Sequence, residues 1–307
     1  MSNSDILYSS VTEIKKLLSN KEISALELTQ FSLERINETN NKTNAFLYVA
    51  TDTAIEDAKN IDKKIAKGED TGLLGGIPTS IKGLEPVKGM PQTNGSLFYK
   101  DNIADYDQLG VQRIKEAGGI ILGKTNTPEF GLMGHTENLL KDHCRNPWNS
   151  NKTAGGSSGG AGSAVAAGFC SIAMGGDAGG SIRIPSSYNG IFGIKPTQGR
   201  VPNPTSTHNF LSQNGPMTRY VEDAALMLEI ITGFSSEDPS SLNIPPIKFE
   251  DNFWNYSLTD YLQKYYLSKD QLRIAWVDNF GHAKPDSEVK AKCLNTLSIL
   301  ENEGHTI

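Results

Sequence analysis

Cysteine is scarce in this chain. Three occur in 307 residues, Cys144, Cys170 and Cys293, far apart and without the paired spacing of a zinc site or a disulfide framework. A disulfide-stapled scaffold is thereby excluded, and a reducing, cytoplasmic setting is expected. Long apolar runs are also missing: no stretch approaches the roughly 20 apolar residues that cross a bilayer. The opening MSNSDILYSS has neither the basic nor the apolar region of a secretory leader, so no membrane association or export is expected. Positive charge is not in excess. With 29 Lys and Arg against 35 Asp and Glu the formal net charge is -6, and the cations are scattered, so no footprint for nucleic acid is visible. The five histidines, His135, His143, His208, His282 and His305, lack metal-ligand spacing, and neither a metal nor an organic cofactor is expected.

What is present reads as an ordinary globular chain, 37% hydrophobic and 21% charged. Ser10 to Glu13 and Ser24 to Glu27 both have the S-x-x-E spacing that caps a helix reciprocally, so two helices are expected to open the chain. Ala54, Ala58, Ile61 and Ile65 recur at helical spacing and stop at Gly68, which suits a left-handed cap. Val111, Ile114 and Ala117 form a short helix closed by Gly118-Gly119, and Ile120-Ile121-Leu122 follows as a buried strand. Helix followed by strand argues an α/β fold. Ala224, Leu228 and Ile231 read as a helix ending at Gly233, residues 235 to 260 as a long loop, and Leu272 to Val277 as a strand. Val289, Cys293, Leu297 and Leu300 keep helical spacing up to Gly304, and His305-Thr306-Ile307 has the look of a strand start.

The most informative segment is GGSSGGAGSAVAAGFCSIAMGGDAGGSIRIP, Gly155 to Pro185. It carries two serine-bearing glycine loops, Gly155 to Gly160 and Gly179-Gly180-Ser181. Glycines let backbone N–H groups turn inward and approach a substrate closely, as an oxyanion hole requires. Val165, Phe169, Ile172 and Met174 supply apolar anchors that a flexible linker would lack. Upstream, Gly76-Ile77-Pro78-Thr79-Ser80-Ile81-Lys82 puts a lysine at the end of a short run with strand character. A lysine buried there would lose its charge readily and could take a proton from a serine. Two rival motifs overlap these. Gly118-Gly119-Ile120-Ile121-Leu122-Gly123-Lys124-Thr125 fits the P-loop pattern, but a helix pattern precedes it and bulky residues fill its middle. Gly155-Gly156-Ser157-Ser158-Gly159 fits the nucleophile elbow, with His282 as a downstream partner, but the preceding Asn149 to Thr153 is polar where an apolar strand is needed.

Taken together, Gly76 to Lys82, Gly123 to Phe130, Asn146-Pro147-Trp148, the serine-glycine segment and Gly215-Pro216-Met217-Thr218-Arg219 resemble the amidase signature family in order and spacing, over nearly the whole chain. The resemblance implies a mixed central β-sheet covered by helices on both faces, with residues 1–307 as one domain. It implies amide hydrolysis of a small-molecule substrate by a Ser-cisSer-Lys triad. The matching positions are Ser181 as nucleophile, Ser157 as the cis serine and Lys82 as base. Ala178, Gly179 and Gly180 match the backbone oxyanion hole, and Ser158, Asp177 and Arg183 match supporting neighbours. One position departs: the residue after the lysine, usually acidic in the family, is Gly83 here. The alternative is a partner-dependent or inactive relative, such as an amidotransferase A-type subunit. Because family members are commonly longer, the chain is expected to lack a C-terminal part, and to be poorly soluble and weakly active by itself.

Overall fold

A computed structural model describes residues 2–204, 211–243 and 272–307. The chain divides into two compact units, residues 1–248 and 249–307. The first opens with α1 (Asn3–Tyr8), α2 (Val11–Ser19) and α3 (Ala25–Thr43). Both expected capping boxes are formed: Ser10 Oγ accepts from Glu13 N, Glu13 accepts from Ser10 N, and Ser24 and Glu27 repeat the exchange. After β1 (Phe46–Val49), α4 (Thr51–Lys67) runs to Gly68, whose φ of +70° is the left-handed cap that its missing Cβ permits.

The chain then lays down β2 (Pro78–Lys82), α5 (Leu109–Glu116), β3 (Ile120–Thr125) and a small hairpin of β4 (Arg145–Asn146) and β5 (Asn149–Thr153). These are followed by α6 (Gly159–Ala166), β6 (Ile172–Asp177), α7 (Arg183–Asn189), β7 (Phe192–Gly193), β8 (Gln213–Thr218) and α8 (Val221–Ile231). Six strands form one sheet in the order β1-β3-β2-β6-β8-β7, parallel at β3-β2-β6 and antiparallel elsewhere. Helices flank this mixed sheet, with α6 against β2, β3 and β6 and with α5 and α8 packed together beside β8. Every residue of β2, β3 and β6 is buried, as strands covered on both faces must be.

Two differences from the sequence reading have local causes. The glycine loop read as Gly155 to Gly160 is shorter, because Gly159 and Gly160 already belong to α6, where a missing Cβ lets neighbouring backbone approach closely. The strand expected at Leu272 to Val277 reduces to one parallel bridge, Arg273 to Thr306, and among the described residues it and the residues after Gly304 pair at that point alone. Of the expected loop at 235–260, residues 244–260 lie outside the described part of the chain. The second unit contributes α9 (Ser287–Asn302), N-capped by Asp286, with no buried residue along its length.

Candidate active site

The parallel strands β2 and β6 end side by side, and in open α/β sheets the crevice beyond such carboxyl ends is where ligands bind. β2 delivers Lys82 there, 2% exposed, and the loop before α6 delivers Ser157, equally buried. Lys82 Nζ lies 2.7 Å from Ser157 Oγ and donates to the Gly176 carbonyl at 3.0 Å. The Gly156–Ser157 peptide is cis. Burial pulls the Lys82 ammonium down to about 8, against the opposing pull of the Glu85 and then the Asp177 carboxylates. An amine so placed exchanges its proton near neutrality and has a hydroxyl within reach.

Asp177, the last residue of β6, organises the loop that carries Ser181. Its Oδ1 accepts from Gly180 N at 2.7 Å, and its Oδ2 accepts from Ile182 N at 3.0 Å and Arg183 N at 3.3 Å. The Arg183 guanidinium donates to both oxygens at 3.0 Å. Burial would raise this carboxyl, but the Arg183 bond and the three backbone N–H groups hold it down at about 2. The consequence for the loop is specific: Gly180 N–H is committed to Asp177, while Ala178, Gly179 and Ser181 donate no backbone bond among the described residues. Ala178 and Ser181 are half-buried and Gly179 is exposed, so these three residues lie at accessible surface. Ser158 joins the two loops. Its N–H donates to the Ser181 carbonyl at 3.2 Å, and its hydroxyl bridges Gly176 N and O.

The rival motifs take other forms. Gly123-Lys124-Thr125 belongs to β3, so these residues make a ladder instead of wrapping phosphate. Asn149 to Thr153 is a strand, but an exposed one in the β4-β5 hairpin, unlike the buried strand that feeds a nucleophile elbow. The His282 ring is exposed and bonds locally to the Phe280 carbonyl at 3.0 Å.

Sequence reasoning missed several neighbours. A Cβ on Gly131 would lie 3.2 Å from Ser157 Oγ, so the loop of residues 129–136 passes directly over that serine. The same loop supplies Glu129, Leu132, Met133 and His135 to a cleft of about 940 Å³ whose rim also includes Leu97 and Phe98. Thr136 Oγ1 ties the cis loop in place by accepting from Gly159 N and donating to the Gly155 carbonyl. Two buried polar side chains, Glu85 and Asn214, were also missed, and Lys124, read only within the P-loop pattern and the Gly123 to Phe130 block, is buried beside them. Burial pushes the Lys124 ammonium down to about 7, and its Nζ donates to Gln92 Oε1 at 2.8 Å. No local pattern marks Glu85 or Asn214, because their contact closes over 129 residues.

The family model described as Amidase matches residues 27–307. The chain belongs to the Amidase family. It is 39% identical over 301 residues to the A-type subunit of the glutamyl-tRNA(Gln) amidotransferase from Trichodesmium erythraeum (strain IMS101), covering 97% of the chain and 60% of the relative. It is 37% identical over 309 residues to an acylamidase of Rhodococcus erythropolis, covering 100% of the chain and 62% of that protein. The crystal structure of a bacterial aryl acylamidase of the amidase signature family superposes with a TM-score of 0.87 at 32% identity, over 97% of the chain and 60% of that protein. The chain thus spans between half and about three fifths of the length of the relatives it matches. No helix among the described residues is long and apolar enough to cross a membrane.

Proposed function

We propose that this protein hydrolyses a small-molecule carboxylic amide through an acyl-enzyme on Ser181. The observation that carries the reading is the 2.7 Å contact between Lys82 Nζ and Ser157 Oγ in a fully buried setting. Neutral Lys82 takes the Ser157 hydroxyl proton as Ser157 takes that of Ser181, and Ser181 Oγ forms a bond to the amide carbonyl carbon. The carbonyl oxygen then carries the negative charge, and the uncommitted N–H groups of Ala178, Gly179 and Ser181 are the donors available for it. Gly180 supports the loop by its bond to Asp177. Collapse of the intermediate breaks the C–N bond. The proton now on Lys82 returns through Ser157 to the leaving nitrogen, and water repeats the sequence to release the acid. No metal or organic cofactor enters these steps. Residues 1–307 are read as one amidase domain, and the three unpaired cysteines support a cytoplasmic location.

A second reading, a site that works only with a partner chain, is favoured by the 39% identity to the A-type member of an amidotransferase. One experiment tests both. The chain, alone, is offered a panel of aliphatic and aryl amides, with mass spectrometry of the peptide containing Ser181. The hydrolase reading expects acylated Ser181 and turnover, lost in Ser181→Ala and reduced about a thousandfold or more in Ser157→Ala and Lys82→Ala. His282→Ala should be silent. Full activity in Lys82→Ala with none in His282→Ala would sink the lysine mechanism, and turnover only with an added partner would favour the second reading.

A further inference from the structure

The lysine read above as the base sits among buried polar groups to which the mechanism gives no task. Asn214 on β8 is paired directly across from Gly176 on β6, the residue whose carbonyl accepts from Lys82. Asn214 Nδ2 donates to Glu85 Oε2 at 3.1 Å, while its Oδ1 is buried with no partner. A Cβ on Gly176 would stand 3.0 Å from Asn214 Oδ1, 3.4 Å from Glu85 Oε1 and 3.8 Å from Lys82 Nζ. These polar atoms therefore converge on the one space that glycine leaves open. Position 83, next to the lysine, cannot hold a carboxylate in this backbone, since a Cβ there would meet the Thr125 carbonyl oxygen at 2.8 Å and Thr127 Cγ2 at 3.1 Å.

The charged and titratable groups that face this cluster are few. Asp177, at the end of β6, is saturated by Arg183 and three backbone N–H groups. Lys124, from β3, is a second amine, pulled down by its burial, and the Tyr106 phenol is raised by burial and then by the Asp105 and Glu85 carboxylates. Glu85 is the remaining anion. We propose that Glu85, held by Asn214, is a positioning residue that gives Lys82 its counter-charge. The proposal rests on Lys82 being the base. A lysine buried with no anion near it becomes too weak a base to take a proton from a serine, whereas a carboxylate across a small gap stabilises the ammonium that forms. Burial also raises the Glu85 carboxyl, offset by the Asn214 bond and then by the two lysines, so the device works only while those contacts keep Glu85 ionised.

The test reads the side chains themselves, on the full chain. Lysine labelled with ¹³C and ¹⁵N at the side-chain end is titrated by NMR, with the Lys82 signal assigned by its loss in Lys82→Met. In Glu85→Gln, which keeps the acceptor for Asn214, the Lys82 midpoint should fall by about one pH unit or more, and Glu85→Asp should restore part of it. An unchanged midpoint in Glu85→Gln overturns the proposal. Should that variant not fold, ¹³C-carboxyl titration of wild-type Glu85 decides: it must ionise below the Lys82 midpoint, and a Glu85 still protonated where Lys82 loses its proton overturns the proposal equally. Neither readout needs turnover. A chain with a shifted Lys82 and no amidase activity would sink the proposed function alone.

Discussion

Lys82 and Ser157 are each 2% exposed, whereas Ser181 is half-buried at the crevice. In the proposed mechanism that gradient separates tasks: a proton relay through Lys82 and Ser157 would be kept from water, where an ammonium regains its usual stability, and the Ser181 hydroxyl would be left open to substrate. Because Lys82 must be neutral to accept a proton, kcat/KM for amides should rise with pH through about 8 and level off above it. The limb should belong to Lys82 and not to His282, whose replacement by alanine should leave it in place. A pH profile on one good substrate checks this. An acidic limb unchanged in the residual activity of Lys82→Ala would contradict the assignment.

At the scale of elements, α6 shows why the serine loops sit so close to the sheet. All eight of its residues are buried, and its sequence GGAGSAVA carries three glycines that disfavour an isolated helix by roughly 1 kcal/mol each relative to alanine. Packing compensates. A Cβ on Gly160 would fall 2.2 Å from Asn126 N and 2.5 Å from the Ala45 carbonyl oxygen, both backbone atoms that cannot move aside cheaply. Gly160→Ala should therefore destabilise the protein by about 3 kcal/mol and displace Ser157 at the start of the helix, lowering activity as well. Gly179→Ala is the control for stability, since a Cβ there meets nothing within 4 Å and should change stability by less than about 0.5 kcal/mol. Urea unfolding of the two variants measures the contrast, and equal midpoints would refute it.

For the whole molecule, the contrast lies between a first unit whose central strands β2, β3, β6 and β8 are buried throughout and a second whose described residues include none that is buried. In α9, Val289 is 58% exposed, Leu294 40% and Ile299 61%, so among the described residues this helix has no apolar core to hold it closed. Hydrogen exchange should report the difference directly. Amides of β2, β3 and β6 should open only with global unfolding, while those of α9 should exchange orders of magnitude faster, near the rate of a fraying segment. Mass spectrometry of peptides from the two regions checks it, and equal protection would show that α9 is held by contacts other than those among the described residues.

Much of this was legible in the amino-acid order. Capping boxes, the cap at Gly68 and the periodicity of the helices are local properties, fixed by spacings of three or four residues, and they appear where the chain places them. The serine-glycine segment and the blocks around it were enough to identify the family and to name Lys82, Ser157 and Ser181 as candidates. What the sequence could not contain was set by closure of the sheet. Ser157 meets Lys82 across 75 residues and Asn214 meets Glu85 across 129. Gly180 turns its amide to Asp177, while those of Ala178, Gly179 and Ser181 find no backbone acceptor among the described residues. Leu272 to Val277 has strand composition and makes a single bridge, because a strand needs a partner along its length and composition does not supply one. Spacing along the chain determines caps and periods; burial, and the shift it imposes on a lysine, exists only once distant strands exclude water together.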